Sequence, residues 1–411
     1  MELKEYENLL SAARLASLDN PKRIIFGIEA VNQVGKEVEN LKARRVLVVT
    51  DENIEKFGLL DKVKAPLDAE KLNVSVYRIP TKEPTMSSAK EIADHVRINK
   101  YDSVVGVGGG SCMDSAKLAA IMATNKGEVE EYCAAVVKTP KTLTEEPLPK
   151  IMIPTTSGTG SEASNTLVII EGDYKTWITD RKVLAEVAIV DPLMTLTCPP
   201  MTTAGSGMDA LSHLGEAVMV RKWHPISDAI ALKGISLVAQ NLRKAHYDGN
   251  NLEARYGMSL ASMLGGWVIG FPWVGGPATI GHCISEALGP KWGIPHGTAC
   301  AISLPYSMSY NLPVVPERIR LIGESMGVST EGLNDCEAGE EAIRAVVELA
   351  NNVGISLALK DYNVPQANLK SFAEYIVNER QYMYDLKSNN PRSIELQSII
   401  ELLERMWKGE A

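Results

Sequence analysis

Apolar positions along the first half of the chain fall into two alternating patterns. Short runs rich in Val and Ile, "RVLVVTD" (45–51), "NVSVYRI" (73–79), "SVVGVGG" (103–109), "KIMIPTT" (150–156) and "EVAIVD" (186–191), are too brief for helices and read as strands. Between them lie stretches such as "SSAKEIADHVRINK", where apolar residues recur every third or fourth place. Strand–helix alternation of this kind predicts an α/β domain whose parallel sheet carries helices on both faces.

The pattern changes at "DPLMTLTCPPMTTAGSG" (191–207). Beyond this Pro- and Gly-rich junction no strand series continues. "MDALSHLGEAVMV", "PISDAIALKGISLVAQNLRKAH", "LEARYGMSLASMLGGWVIG" and "EEAIRAVVELANNVG" all have helical period. A domain boundary is therefore expected near residue 200, with an α/β domain over 1–199 and an all-helical domain over 200–411. The opening "MELKEYENLLSAARLASLDN" (1–20) reads as a short amphipathic helical extension, since it carries acids and lacks a signal-type apolar core. There is no internal repeat and no low-complexity tract.

Composition narrows the function classes. A chain of 411 residues is too long for one compact core. The net charge of -9 argues against nucleic acid or an anionic membrane as a partner, and no apolar run is long enough to cross a bilayer. The six cysteines form no CxxC pair and mostly sit in apolar surroundings, so all six read as reduced, buried residues of a cytoplasmic protein.

Two loops carry candidate nucleotide chemistry. In "VVGVGGGSCMDSAKLAAIM" (104–122) a strand runs through Gly108, Gly109 and Gly110 into a helix start. The glycines let backbone amides approach an anion, the helix N-terminus adds unsatisfied N–H groups, Ser111 adds a hydroxyl, and Asp114 lies in the first turn. The stretch is neither GxGxxG nor a P-loop, and such a turn alone is a plain tight turn about as often as a phosphate site. "IPTTSGTGSEAS" (153–164) also follows a strand and is dense in hydroxyls, among them Thr155, Thr156 and Thr159. Loops at the carboxyl ends of parallel strands are where open α/β sheets bind ligands. Asp51 closes the first strand candidate. It reads either as an acid for a ribose diol, favouring NAD over NADP, or as an ordinary helix N-cap in "TDENIEKFG".

Histidine is scarce, with six in the chain. "GMDALSHLGEA" places Asp209 and His213 at i, i+4 on one helical face. In "GHCISEALGPKWGIPHG" (281–297), His282 and His296 are fourteen residues apart, a separation of roughly 21 Å in a straight helix. Gly289-Pro290 is expected to end the first helix, and Pro295 suits the start of the next. The chain can then fold back and bring both imidazoles to one point. Asp209, His213, His282 and His296 would form a one-carboxylate, three-imidazole set suited to Fe²⁺ or Zn²⁺, with room for a substrate oxygen. His95, His224 and His246 read as structural or solvated.

These motifs, together with "AIVDP", "HPISDAIAL", "IPHGTACAISLPYSMSYN" and "NNPR" (389–392), resemble the iron-containing (group III) alcohol dehydrogenase family. The resemblance runs from about residue 22 to the C-terminus. It implies a Rossmann-like dinucleotide-binding domain followed by an all-α domain, the dehydroquinate synthase-like architecture. It implies NAD(P)-linked interconversion of a small alcohol with an aldehyde or ketone, and a homodimer or larger homo-oligomer. Carried over by position, Asp209, His213, His282 and His296 match the metal ligands. Asp51, Gly109, Gly110, Ser111, Asp114, Thr155, Thr156 and Thr159 match cofactor contacts, Lys175 a lysine that reaches the nucleotide, and Trp273 a pocket-lining residue. One departure stands out. Where many members have a further histidine four residues after the first ligand of the H-x-x-x-H-P-L-G stretch, a residue thought to help move the alcohol proton, this chain has Glu286.

Glu286 therefore becomes a candidate proton acceptor or substrate contact. A carboxylate beside a divalent ion is expected to be ionised and to accept rather than donate. Rival readings make it the partner that orients His282, a fifth ligand, or the mate of Lys291. Three other functions fit less well. A lyase of the dehydroquinate-synthase type needs basic residues near the metal, where this chain is apolar. A hydroxyacid–oxoacid transhydrogenase lies inside the broader family. A non-catalytic NAD- and metal-binding homologue would not need the full ligand set.

Overall fold

The computed structural model describes residues 16–80, 83–275 and 279–411. The extension expected over 1–20 falls mostly outside them, and its described part, 16–20, has no regular structure. The chain forms two compact units, one of Asp19–Pro199 with Gly249–Ser259 and one of Pro200–Asp248 with Leu260–Ala411. This differs from two contiguous blocks, 1–199 and 200–411, in returning residues 249–259 to the first unit.

The first unit holds strands β1 (Arg23–Phe26), β2 (Arg45–Thr50), β3 (Asn73–Arg78), β4 (Ser103–Gly108), β5 (Lys150–Pro154), β6 (Thr166–Glu171), β7 (Tyr174–Thr179) and β8 (Val187–Val190). Six of them pair in the order β1-β8-β5-β4-β2-β3, every pairing parallel. All five expected strands belong to this sheet. Two elements were not anticipated: the four-residue edge strand β1, and the antiparallel β6–β7 hairpin, which turns at Gly172 with φ 58°.

Alternate residues of the central strands feed cores on opposite faces. Leu47, Val49, Val104 and Met152 pack with α4 (Met86–Asn99) and α5 (Gly110–Met122). Val46, Val48, Val105 and Ile151 pack with α1 (Val34–Asn40) and α3 (Leu59–Ala69), while α2 (Glu52–Lys56) follows β2 directly. Burial on both faces explains the near-continuous apolar runs in the sequence. After β3 the chain crosses to the far side of β2 before laying down β4. The carboxyl ends of β2 and β4 thus flank a switch point, the place where such sheets hold ligands.

The second unit is helical: among the described residues every strand precedes residue 191. Its centre is α6 (Pro200–Met219), buried from Thr203 to Met219 except at Ser206, as expected of a helix apolar on all sides. Around it lie α7 (Pro225–Tyr247), the later turns of α8 (Leu252–Ile269), α9 (Ile280–Trp292) and α10 (His296–Asn311). Helix α9 corrects one expectation. It continues through Gly289-Pro290 to Trp292, with Pro290 inside its last turn. A proline so near the end removes only one terminal hydrogen bond. Gly293 at φ 69° makes the stop, its N–H donating to Gly289 O at 2.7 Å, and Pro295 caps α10.

Candidate active site

At the switch point of the sheet unit, Gly108 ends β4 at φ 147°, where a side chain would stand 2.5 Å from Cys112 Sγ. Gly109 caps α5 in an extended conformation and, being glycine, offers no side chain to the N–H groups of the first turn. A helix N-terminus left in this state receives anions. The hydroxyl-rich loop lies against the turn. A methyl on Gly110 would meet Thr159 Cγ2 at 2.8 Å, one on Gly109 would stand 3.5 Å from Thr156 Oγ1, and Thr155 N–H donates to Gly108 O at 2.9 Å. Ser111 is half-buried in the first turn of α5. Asp114 accepts from Ser161 Oγ at 2.7 Å and from Val168 N at 3.1 Å, tying α5 to the loop and to β6. Lys175, on β7, is buried with Nζ 3.7 Å from the Glu83 carboxylate. Asp51 does cap α2, accepting from the N–H groups of Asn53 (2.7 Å) and Ile54 (3.1 Å). Its other oxygen lies 3.4 Å from Cys112 Sγ, so the carboxylate also faces the glycine turn.

In the helical unit four side chains from three helices converge. Helix α6 supplies Asp209 and His213, α9 supplies His282, and α10 begins at His296. The Nε2 atoms of His213, His282 and His296 lie 3.6, 3.6 and 3.5 Å from Asp209 Oδ1. Those distances are long for hydrogen bonds. They match the edge of about 3.4 Å that donors at about 2.1 Å from one ion would form in a tetrahedron. Asp209 Oδ1 and His213 Nδ1 are buried without a hydrogen-bond partner, a cost that a bound cation would relieve at Oδ1. Burial alone would push the Asp209 carboxyl up; the surrounding imidazoles outweigh it and hold the group well below the usual carboxylate range. Asp209, His213 and His282 are buried, whereas His296 keeps 21% of its side chain exposed, marking the open side. The residues fit a divalent metal.

A glutamate that sequence reasoning passed over completes this cluster. Glu216 Oε1 accepts from His282 Nδ1 at 2.8 Å and from His282 N at 2.9 Å, and Oε2 accepts from Thr279 N at 2.8 Å. Binding Nδ1–H in this way fixes the ring and leaves Nε2 as the metal-facing acceptor. The signal was available in "GMDALSHLGEA", because Glu216 lies seven residues after Asp209 on the same helical face. Gly281 makes room for it: a side chain there would stand 2.6 Å from Glu216 Oε1. From the far end of the chain, Asn390 of "NNPR" accepts from Ile280 N at 3.1 Å and exchanges bonds with Asn311 at 2.9 and 3.2 Å, pinning the start of α9 to the end of α10.

Glu286 sits one turn after His282 and is buried. It accepts a hydrogen bond from Tyr384 Oη, and Arg380 Nη2 lies 3.8 Å from the same oxygen and donates to Tyr384 Oη at 2.6 Å. Arg380 is fully buried, and its Nε and Nη1 have no hydrogen-bond partner. Glu216, not Glu286, is thus the carboxylate that orients His282. Lys291 extends its Nζ over the Tyr375 ring at 4.3 Å, and Arg380 places a cation beside Glu286. Trp273 is half-buried, donating to Ser227 Oγ at 3.3 Å and packed against Phe271 and His224. The remaining histidines are structural: His224 caps α7, His95 bonds Tyr101, and His246 bonds Pro200 O. Four cysteines are buried as expected, but Cys336 is exposed and Cys198 half-buried, since both sit on loops or helix starts at the surface.

The chain matches two family descriptions, "iron-containing alcohol dehydrogenase" over residues 21–192 and "Fe-containing alcohol dehydrogenase family, C-terminal" over 203–407. It is 36% identical to long-chain-alcohol dehydrogenase 1 of Geobacillus thermodenitrificans, the match covering 88% of this chain and 91% of that one. Its fold superposes on a crystal structure of 1,3-propanediol oxidoreductase with a TM-score of 0.88 at 32% identity, covering 96% of this chain and all of that one. It is also similar to the sulfoacetaldehyde reductase of Bifidobacterium kashiwanohense, solved in complex with NAD⁺, with a TM-score of 0.84 and 27% identity over 96% and 99% of the two chains. A Rossmann-like parallel sheet with a glycine turn, a helical unit with an Asp–His₃ cluster and these likenesses agree: the chain belongs to the iron-containing alcohol dehydrogenase family, metal-dependent nicotinamide-linked oxidoreductases that interconvert alcohols and aldehydes.

Proposed function

We propose that Asp209, His213, His282 and His296 hold Fe²⁺, with Zn²⁺ as the alternative occupant, in an enzyme that uses NAD on a short alcohol or aldehyde. The observation that carries this reading is the set of three imidazole nitrogens ranged at 3.5–3.6 Å around an otherwise unpartnered, buried Asp209 Oδ1. The choice of NAD rests on Asp51, whose carboxylate at the end of β2 would hydrogen-bond a ribose diol and repel a 2′-phosphate. Gly108, Gly109, Gly110 and Ser111 would receive the pyrophosphate at the start of α5, and Thr155, Thr156 and Thr159 would close over it. Asp114 positions that loop through Ser161, and Lys175 reaches the nucleotide from the hairpin. The protein works as a homodimer or larger assembly in the reducing cytoplasm, in keeping with its six free cysteines.

When bound, the metal acts as a Lewis acid toward the substrate oxygen while the nicotinamide exchanges hydride with the carbon. Glu216 keeps His282 in one tautomer. Glu286 accepts the proton that the alcohol gives up and returns it to the product alkoxide in reduction. Tyr384 and Arg380 hold that carboxylate in place. Trp273 lines the pocket from its seat on Ser227. Protein purified without oxygen should contain about one Fe²⁺ or Zn²⁺ per chain and reduce NAD with members of a short-alcohol panel. Turnover that requires an added oxoacid would point to a transhydrogenase instead. In Glu286→Gln, metal content should persist while kcat falls and the pH–rate profile loses its lower limb. An unchanged kcat and profile would remove Glu286 from the proton path.

A further inference from the structure

One side chain at the metal cluster has a donor atom that none of these assignments uses. Cys300 lies one turn after His296 on α10, is 1% exposed, and points its sulfur into the cluster. Its Sγ stands 3.6 Å from His282 Nε2 and 3.7 Å from His296 Nε2. The donor atoms of Asp209, His282, His296 and Cys300 all fall within 4.8 Å of one another. In a shell of five donors, a nitrogen at about 2.1 Å and a sulfur at about 2.3 Å from the ion are separated by about 3.1 Å at a 90° angle and about 3.8 Å at 120°. The sulfur is therefore spaced from two ligand nitrogens as a donor of the same shell would be. Backbone and side-chain contacts hold it there: Cys300 O accepts from Ser212 Oγ of α6 at 3.3 Å, and Sγ lies 3.4 Å from Ser285 Oγ of α9.

We propose that Cys300 is a fifth metal donor, a thiolate sulfur added to the Asp–His₃ set. The inference rests on the metal reading above and adds a ligand to it. As the metal–sulfur bond forms, the thiol proton passes to water. A soft sulfur beside one hard carboxylate shifts the selectivity of the site toward Zn²⁺ and Co²⁺ and away from purely oxygen-seeking ions.

Cobalt titration of the metal-free protein separates the two levels of the argument. Visible d–d bands report a low-symmetry nitrogen and oxygen shell, and a near-ultraviolet sulfur-to-cobalt charge-transfer band reports thiolate ligation. The wild type should show both. Cys300→Ser and Cys300→Ala should keep the visible bands, which also shows that they fold, and lose the charge-transfer band. Cys283→Ser should keep both. In competition between equal Zn²⁺ and Fe²⁺, the preference for zinc should fall by about tenfold in Cys300→Ser. Visible bands without the charge-transfer band in the wild type, or a charge-transfer band that survives in both Cys300 variants, would overturn the sulfur ligand and leave the Asp–His₃ site standing. Absence of both bands in the wild type, or visible bands unaffected by Asp209→Asn, would overturn both.

Discussion

Gly297 tests how closely helix packing sets the metal centre. It follows His296 at the start of α10, where that helix crosses α6 at Gly205. A methyl group built on Gly297 would stand 2.5 Å from the Gly205 carbonyl carbon, with the carbonyl oxygen nearer still. Ordinary contact begins at 3.4 Å, so Gly297→Ala needs a separation of about 0.9 Å between the two helices. Both colliding groups lie on or next to backbone in buried helices, so no rotamer change relieves them. Metal–ligand distances tolerate only about 0.2 Å. The displacement would carry His296 out of reach of an ion held by Asp209 and His213. Gly297→Ala should therefore weaken Zn²⁺ or Co²⁺ binding by about 10–100-fold and cost about 1–3 kcal/mol of stability from overpacking. Chelator competition gives the first quantity and thermal melts of metal-free protein give the second. Gly205→Ala is the control. Its methyl would meet Thr298 N at 3.5 Å and Gly297 C at 3.6 Å, ordinary contacts, so metal binding should be preserved. Wild-type affinity in Gly297→Ala, or equal damage in Gly205→Ala, would refute the argument that this crossing sets the ligand geometry.

Glu216→Gln places an amide N–H₂ against the N–H donors of Thr279 or His282, and should lower metal affinity by about 10–100-fold with unchanged far-ultraviolet circular dichroism. Glu162 is buried with neither carboxylate oxygen hydrogen-bonded, and burial pushes its pKa up to about 7. The native state then keeps a proton that the unfolded chain releases near 4.5, so this contribution to stability is full below pH 4.5 and falls by about 3 kcal/mol by pH 7. Melts of Glu162→Gln should accordingly lie increasingly above wild type as pH rises from 4.5 to 7.5, and a constant gap would contradict that origin. Glu286→His removes the counter-charge of a fully buried Arg380 and should cost about 3–5 kcal/mol. The double variant Glu286→His/Arg380→Met should recover most of it, and a fully stable single variant would show that the pair is not coupled.

Much of the architecture was legible because it is local. The five sheet strands announced themselves as Val/Ile runs between helical periods, since both faces of β2 and β4 are covered. The proposed ligands could be picked out because histidine is rare and Asp209 and His213 share one helical face. What escaped depends on partners distant in sequence. Strand β1 is four residues long and becomes a strand by pairing with β8, Arg23 opposite Val187. The stop of α9 was misplaced at Gly289-Pro290 because the rule for proline concerns helix interiors, and the last turn had only one hydrogen bond to lose. Cys300 read as a buried cysteine, which it is. That its sulfur meets His296 follows from their i, i+4 spacing on α10, but that it also faces His282 depends on the packing of α9 against α10, which its neighbours in the chain do not reveal.

Glu286 shows how a departure from a family pattern can be misread when taken alone. A carboxylate in place of a histidine brings a charge into a buried position, and burying an unpaired charge is costly. Its neighbours in sequence, Ser285 and Ala287, offer no cation. The compensation comes from about a hundred residues later, where Arg380 and Tyr384 meet the Glu286 carboxylate and each other. Pairing is incomplete on the arginine side, where Nε and Nη1 find no acceptor. The hydrogen-bonded triad fixes the carboxylate and keeps the local charge near neutral while Glu286 is ionised; a proton taken up by Glu286 would leave Arg380 as an uncompensated buried cation, which favours passing that proton on rather than holding it. The unit of change at this position is therefore three side chains, of which the sequence pattern exposed one.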